Sequence, residues 1–339
     1  MALLHATGTP TNQTTEALEA KVIPTVFLTL CFLIGVPGNG LVIWTILSKF
    51  PQRSFTIALI LNIAVADLLV ILTVPFWTYY FAKGWVFGDF MCRFLMYLVY
   101  LTVYTSIFSI TLMSLHRFAV VVLPLASQRW RKPRETHGIM LAVWLLAGLL
   151  SCPCLIFSSK EMPREKCTDE FYDSDNQRLA VNIVETLFGF VIPFAVLAVC
   201  YTYVARKVRT LKNHKEMKTG KLIAAVVGAF FVCWLPYHIL NLIIISALLL
   251  RHAKPQVSQN LLESIHVLTN VHGAVAFLSS CINPILYAFA ARSFRGGLRE
   301  TNFAKLFEKL RNDTEEKLTK DNTVSMQTLQ FEKNWERIG

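Results

Sequence analysis

CRFLMYLVYLTVYTSIFSITLMSLHRFAVVVLP, residues Cys92 to Pro124, decides how this chain folds. Residues 94–115 carry no charge, and a helix of this length is about 33 Å long at 1.5 Å per residue. That is enough to cross the roughly 30 Å hydrocarbon core of a bilayer. Cys92 precedes the uncharged stretch and Arg117 follows it, so the two lie at opposite membrane faces. We predict a transmembrane helix around which the rest of the chain packs.

Long apolar blocks recur along the whole chain. Of the 339 residues, 54% are hydrophobic and only 16% are charged, against about a quarter charged in soluble domains. Seven blocks each exceed the roughly 20 residues that a transmembrane helix needs. Numbered as spans 1 to 7, they are residues 22–47, 56–81, 94–115, 137–159, 179–205, 222–250 and 264–291. The sequence therefore predicts an all-α membrane protein, a bundle of seven transmembrane helices formed by residues 22–291.

The loop charges predict the orientation of this bundle. Lysine and arginine collect in the segments after spans 1, 3 and 5, which the positive-inside rule places in the cytoplasm. The N-terminal tail, residues 1–21, is then extracellular, and we expect the plasma membrane as the location. Asn12 begins an N-glycosylation sequon in that tail. The net charge of +11 lies in the loops and the cytoplasmic tail, which argues against a nucleic-acid partner.

Two of the eight cysteines fall outside the apolar blocks. Cys92 at the top of span 3 and Cys167 in the loop after span 4 both lie on the predicted extracellular side. Because that side is oxidising, we predict that they form a disulfide, the alternative being two free thiols. The other six cysteines lie within spans and are expected to be packing residues.

A set of polar, aromatic, cysteine and proline residues lies within the spans and at their ends. They are Asn39, Asp67, Cys92, Arg117, Trp144, Cys167, Pro193, the run Cys233-Trp234-Leu235-Pro236, and Asn283-Pro284 followed by Tyr287. In order and spacing this set resembles the class A (rhodopsin-like) G-protein-coupled receptors over about residues 20–310. A finer resemblance, to the leukotriene B4 receptors of the chemoattractant branch, rests on residues 219–222, 234–242, 276–284 and 303–307.

The resemblance implies a receptor, not an enzyme. Its expected ligand is leukotriene B4 or a related lipid, and its expected partner is a heterotrimeric G protein of the inhibitory type. The chain contains neither a His-Glu-x-x-His nor a Gly-x-Ser-x-Gly motif, and residues 259–291 contain no lysine for a retinal Schiff base. Three alternatives remain: a chemoattractant receptor for another hydroxylated fatty acid, one for a peptide, and a weakly coupling scavenger receptor.

Polar and aromatic side chains recur at helical spacing near the outer ends of spans 3, 5 and 6. They are Tyr97 and Tyr104, then Arg178 and Glu185, then Trp234, His238 and Asn241. Facing inward, they line a cavity suited to a lipid acid, with its carboxylate near Arg178 and its hydroxyls on Glu185 and Asn241. The alternative is that Tyr104 and Asn241 join helices while Arg178 lies at the membrane interface.

Two positions depart from the leukotriene B4 receptor pattern. Met96 stands where the better-known members carry a histidine, and Ser158 lies where an arginine is expected nearby, with Lys160 as its nearest substitute. Both departures concern the carboxylate of the ligand. They leave the exact ligand open.

The resemblance also implies a switch in the middle of the bundle. A sodium ion is expected among oxygen-bearing side chains, the alternative being a protonated Asp67 bonded to its neighbours. The expected sodium site consists of Asp67, Ser106, Ser280, Asn39 and Asn283. A ligand pressing on Trp234 is expected to swing the inner half of span 6 at the kink of Pro236. Tyr201, Tyr287 and Arg117 then line the opened cleft; the alternative is aromatic packing beside an interfacial arginine.

His116 stands where the family usually has an acid paired with the next arginine, Arg117. A histidine is mostly neutral at cytosolic pH and cannot hold Arg117 by charge. We therefore expect either raised basal signalling or a resting state held by other bonds.

The end of the chain is polar and basic. Residues 292–310 predict an amphipathic eighth helix on the inner leaflet, in contact with membrane lipids. Residues 311–339 predict a disordered tail whose threonines and serine are phosphorylation sites that recruit an arrestin, or else a plain solvated tail. No cofactor is expected beyond the sodium ion.

Overall fold

The computed structural model describes residues 10–50, 54–122, 133–156, 167, 172–211, 214–265 and 277–286. Within these ranges, six helical segments are long and apolar enough to cross a membrane, and a shorter apolar helix follows them. They are Lys21–Lys49, Phe55–Lys83, Gly88–Val122, Arg134–Ile156, Asp175–Val204, Val227–Leu250 and the shorter Phe277–Leu286. The predicted all-α bundle of seven transmembrane helices is confirmed. The predicted surface helix at 292–310 and the tail at 311–339 lie outside the described residues.

Span 3 lies at the centre of the bundle, as predicted. Its helix, Gly88–Val122, packs against spans 2, 4 and 5. One apolar cluster fills the bundle near its middle, where Ile107 and Ile110 of span 3 meet Trp234 of span 6. A second cluster fills one end and includes Cys92, Trp77 and Phe277. We call that end the outer end and the opposite one the inner end.

The predicted disulfide is present. Cys92 and Cys167 are bonded, with their Cα atoms 5.6 Å apart, and both are buried. The bond ties the loop after span 4 to the top of span 3. The six remaining cysteines are free thiols.

Span 2 is interrupted, whereas the sequence predicted one continuous helix. It consists of Phe55–Ile71 and Val74–Lys83, and Pro75 stands at the start of the second helix. Proline has no N–H to continue the ladder of backbone bonds. Thr73 connects the two helices, since its hydroxyl donates to the Val70 carbonyl (2.6 Å) and accepts from Trp77 Nε1 (3.1 Å).

Span 5 contains a π-helical turn that the sequence did not predict. The span consists of Asp175–Thr186, the π-turn Leu187–Val191 and Ile192–Leu211. The turn comes directly before Pro193, which cannot donate a backbone bond, and Ile192 N–H bonds instead to the Leu187 carbonyl. A π-turn widens the helix by one residue and re-aims the side chains around it.

The helices differ from the predicted bounds in three places, two at the outer end and one at the inner end. The helix of span 1 runs Pro10–Lys49 and so begins inside the stretch predicted as a tail. The helix of span 6 runs His214–Leu250, and a further helix, Pro255–Ile265, follows it where the sequence predicted a loop and the start of span 7. Arg251, at the end of span 6, forms an exposed ion pair with Asp175 at the start of span 5.

Candidate functional site

Three polar side chains join spans 5 and 6 near the outer end. Glu185 Oε2 accepts a hydrogen bond from the Tyr237 hydroxyl at 2.7 Å and one from Asn241 Nδ2 at 3.3 Å. Hydrogen bonds to an ionised carboxylate are among the strong ones in proteins. Glu185 and Asn241 were predicted for the site, and the structure brings them together. Tyr237 was missed, although its spacing of four from Asn241 places both on one helix face.

Span 3 reaches the same group through Tyr104. Its ring is buried and stacks on Phe108 at 5.9 Å. A Cβ atom placed on Gly189 would lie 3.3 Å from His238 Cε1 and 3.7 Å from Tyr104 Cε1. Tyr104, Gly189 and His238 therefore meet where spans 3, 5 and 6 converge. Gly189 belongs to the π-turn, and the sequence analysis did not single it out.

Aromatic rings form the apolar wall of this site. His238 stacks on Phe190 at 4.8 Å, and Trp234 lies against Phe230 at 5.7 Å and Tyr237 at 5.8 Å. We call the following group the polar pocket: Tyr104, Glu185, Gly189, Trp234, Tyr237, His238 and Asn241. It combines hydrogen-bonding groups with apolar walls, which is the usual composition of a small-molecule site.

No contact described in the structure joins the two other predicted residues, Tyr97 and Arg178, to the polar pocket. Tyr97 faces span 4, since a Cβ atom on Gly148 would lie 3.1 Å from its hydroxyl. Arg178 is half-buried and lies two helical turns from Glu185 toward the outer end. Met96 packs against the outer apolar cluster. Ser158 is outside the described residues.

The predicted sodium-site residues form two adjoining groups. Asp67 is buried, and its carboxylate accepts from Asn283 Nδ2 at 2.8 Å and from Ser106 Oγ at 3.4 Å. Asn39 bonds instead to two backbone carbonyls, those of Gly35 and Ser280, each at 3.1 Å. Asn39 thus ties span 1 to span 7 beside Asp67. The oxygens of Asp67 and Ser106 are of the type that a sodium ion prefers.

At the inner end, His116 is tied to span 2. Its Nδ1 lies 3.3 Å from the Thr56 hydroxyl, and its ring packs against Phe55 with centroids 5.0 Å apart. The side chain is only 3% exposed. His116 thus bonds to span 2; whether this bond holds the resting state in place of an ion pair with Arg117 stays a prediction. Thr56 was missed, because sequence spacing within one helix cannot reveal a contact with another.

The remaining residues of the predicted switch lie along the inner half. Arg117 and Tyr201 are half-buried, and Tyr201 packs against the central apolar cluster. Pro236 lies inside the helix of span 6. Tyr287 is outside the described residues, and the side chain of Asn12 is not described.

Comparison with known proteins gives matches over most of the chain. The family model described as "7 transmembrane receptor (rhodopsin family)" matches residues 38–287. The leukotriene B4 receptor 1 of Rattus norvegicus is 32% identical over 298 residues, which are 87% of this chain and 82% of that receptor. The leukotriene B4 receptor 1 of Homo sapiens is 33% identical over 281 residues, 82% of this chain and 78% of that receptor. The matched region includes every residue of the polar pocket.

Proposed function

Because this chain belongs to the rhodopsin family of seven-transmembrane receptors, we propose that it is a plasma-membrane receptor for leukotriene B4 or a closely related hydroxylated fatty acid. The observation that carries the proposal is the polar pocket. Its carboxylate, amide and phenol groups lie among aromatic rings, which fits a ligand with an apolar chain and hydroxyl groups. The similarity to two leukotriene B4 receptors supports the same ligand class.

In this proposal the ligand enters from the extracellular side, where the N-terminus also lies. Its carboxylate meets Arg178 at the outer edge, and its chain passes the Glu185–Tyr237–Asn241 group toward Trp234. Pressure on Trp234 moves the inner half of span 6 outward at Pro236 and opens a cleft beside Arg117. A heterotrimeric G protein of the inhibitory type binds there, and an arrestin later binds the phosphorylated tail. A sodium ion at Asp67 favours the resting state.

Inhibition of cAMP synthesis tests the proposal in cells that express the full chain. We expect leukotriene B4 to lower stimulated cAMP, and we expect its potency to fall about tenfold or more in Arg178→Ala and in Asn241→Ala, since each removes one polar contact with the ligand. Lys254→Ala and Asn260→Ala are matched controls, because both residues are exposed at the outer end.

Two results would contradict the proposal in different ways. A normal surface level with no response to leukotriene B4, together with a response to another lipid acid or a peptide, would overturn the ligand. Binding of leukotriene B4 without any cAMP response would instead favour a scavenger receptor.

A further inference from the structure

Two buried polar atoms at the deep end of the polar pocket have no hydrogen-bond partner among the described residues. They are Trp234 Nε1 and His238 Nδ1, on side chains that are 7% and 3% exposed. Buried polar atoms are almost always paired, because leaving one unpaired is costly. Two such atoms, one helical turn apart on span 6, therefore indicate a hydrogen-bonding guest.

The π-turn of span 5 shapes the place where this guest fits. Gly189 has no side chain, and a Cβ atom there would lie 3.3 Å from His238 Cε1 and 3.6 Å from His238 Nε2. The imidazole can therefore lie directly against the backbone of span 5. Its other face stacks on Phe190 at 4.8 Å, which fixes the orientation of the ring. π-Turns are often found at functional sites.

The outer part of the pocket is bonded within itself. Glu185 already accepts from Tyr237 and from Asn241, so these three groups partly satisfy one another. His238 and Trp234 lie one helical turn apart, with ring centroids separated by 6.4 Å. A hydroxyl oxygen both donates and accepts, so it suits an indole N–H and an imidazole nitrogen together.

We propose that His238 Nδ1 and Trp234 Nε1 bind one hydroxyl group of the lipid ligand, in a subsite where Gly189 lets the imidazole lie close to the backbone of span 5. This inference rests on the proposed function and changes one part of it. The ligand hydroxyl binds deeper in the bundle than the Glu185–Asn241 group. A bound water molecule has the same hydroxyl chemistry. The experiment therefore separates a hydroxyl that belongs to the ligand from one that belongs to water.

Competition binding on membranes that contain the full chain provides the test. The probes are radiolabelled leukotriene B4, unlabelled leukotriene B4 and two analogues that each lack one of its two hydroxyl groups. In the wild type we expect one analogue to bind about tenfold more weakly than leukotriene B4, because it leaves the two buried nitrogens unpaired.

Two variants should remove this discrimination. His238→Phe keeps an aromatic ring but has no ring nitrogens. We expect the affinities of leukotriene B4 and of the weaker analogue to agree within about twofold in this variant. In Gly189→Ala the new methyl group displaces the His238 imidazole. We expect the difference in affinity between leukotriene B4 and the analogue to become smaller as well. His238→Gln should retain the gap because an amide still forms hydrogen bonds. Phe194→Leu, an apolar change among the same rings, should retain it too.

Each other result overturns the inference. A tenfold difference in affinity between leukotriene B4 and the analogue that persists in His238→Phe would mean that the hydroxyl binds elsewhere. Equal weakening of all three lipids by His238→Phe would assign the site to water. Equal affinities of the three lipids in the wild type would show that no hydroxyl is read. A wild type that does not bind leukotriene B4 at all would contradict the proposed function, and this inference with it.

Discussion

A single residue, His116, connects spans 2 and 3 at the inner end of the bundle, next to Arg117. Where an acid would pair with Arg117 by charge, the structure has an imidazole bonded to the Thr56 hydroxyl and packed on Phe55. A neutral hydrogen bond contributes about 0.5–1.5 kcal/mol, less than a hydrogen bond to a charged group. The contact joins spans 2 and 3, so it restrains the backbone next to Arg117.

We expect Thr56→Val to raise basal signalling, because valine keeps the size of threonine and removes the hydroxyl that bonds to His116. A loss of about 1 kcal/mol corresponds to a severalfold shift between the resting and active states. His116→Asp should lower basal signalling by restoring a charge beside Arg117. The measurement is G-protein nucleotide exchange without ligand, at matched surface levels.

Thr202→Val is the control, since the Thr202 hydroxyl bonds only to the carbonyl of Ala198 in its own helix among the contacts described. Basal exchange that is equal in Thr56→Val, His116→Asp and the wild type would show that this contact does not set the resting state.

At the scale of helices, span 1 is held by close contacts at its glycines. A Cβ atom on Gly35 would lie 2.3 Å from Ile71 Cδ1 of span 2 and 3.1 Å from Cys281 Sγ of span 7. Asn39, one turn further along, bonds to the Ser280 carbonyl of span 7. Small residues and hydrogen bonds from side-chain amides hold helices together in membranes, where the hydrophobic effect does not drive helix association.

Gly35→Val should push span 1 away from spans 2 and 7 and destabilise the folded receptor. Overpacking of this kind costs about 1–3 kcal/mol. We expect a lower apparent Tm of the purified receptor and less protein at the cell surface. Gly40→Val is a matched control in the same helix, because a Cβ atom there would meet nothing within 4 Å. An equal Tm in the two variants would contradict the role assigned to Gly35.

Much of this element-level structure follows from the sequence, and the exceptions have physical causes. Hydropathy located the spans. The disulfide was predicted because Cys92 and Cys167 both lie on the predicted extracellular side. The break in span 2 and the π-turn in span 5 were missed because a proline can kink, break or widen a helix, and tertiary packing decides which. Helical spacing placed Glu185 and Asn241 on inward faces. It could not reveal that Glu185 bonds to Tyr237 or that His116 bonds to Thr56, because each of these contacts joins two helices.

At the scale of the whole molecule, Asp67 lies between the ligand site and the inner end. Its carboxylate joins span 2 to span 3 through Ser106 and to span 7 through Asn283. An ion bound there would contact spans 2 and 3. By linkage, an ion that favours the resting state must weaken the binding of an activating ligand by the same factor that the ligand weakens the ion.

We expect sodium chloride to lower the affinity of leukotriene B4 severalfold relative to choline chloride at equal ionic strength, and Asp67→Asn to abolish the difference. The measurement is competition binding on membranes across a sodium titration. Asp173→Asn, at an exposed acid of the outer end, should respond like the wild type. A sodium effect of the same size in Asp67→Asn would exclude a site at this carboxylate.

The helix His214–Leu250 is uninterrupted across Pro236, and this continuity has a mechanical consequence. About 33 Å of helix separates Pro236 from His214, whereas Asn241 lies only about 7.5 Å along the axis on the other side. A rigid rod that pivots at Pro236 is a lever with arms in a ratio of about four to one. For such a rod, a displacement of about 1 Å at Asn241 would become about 4 Å at the far tip.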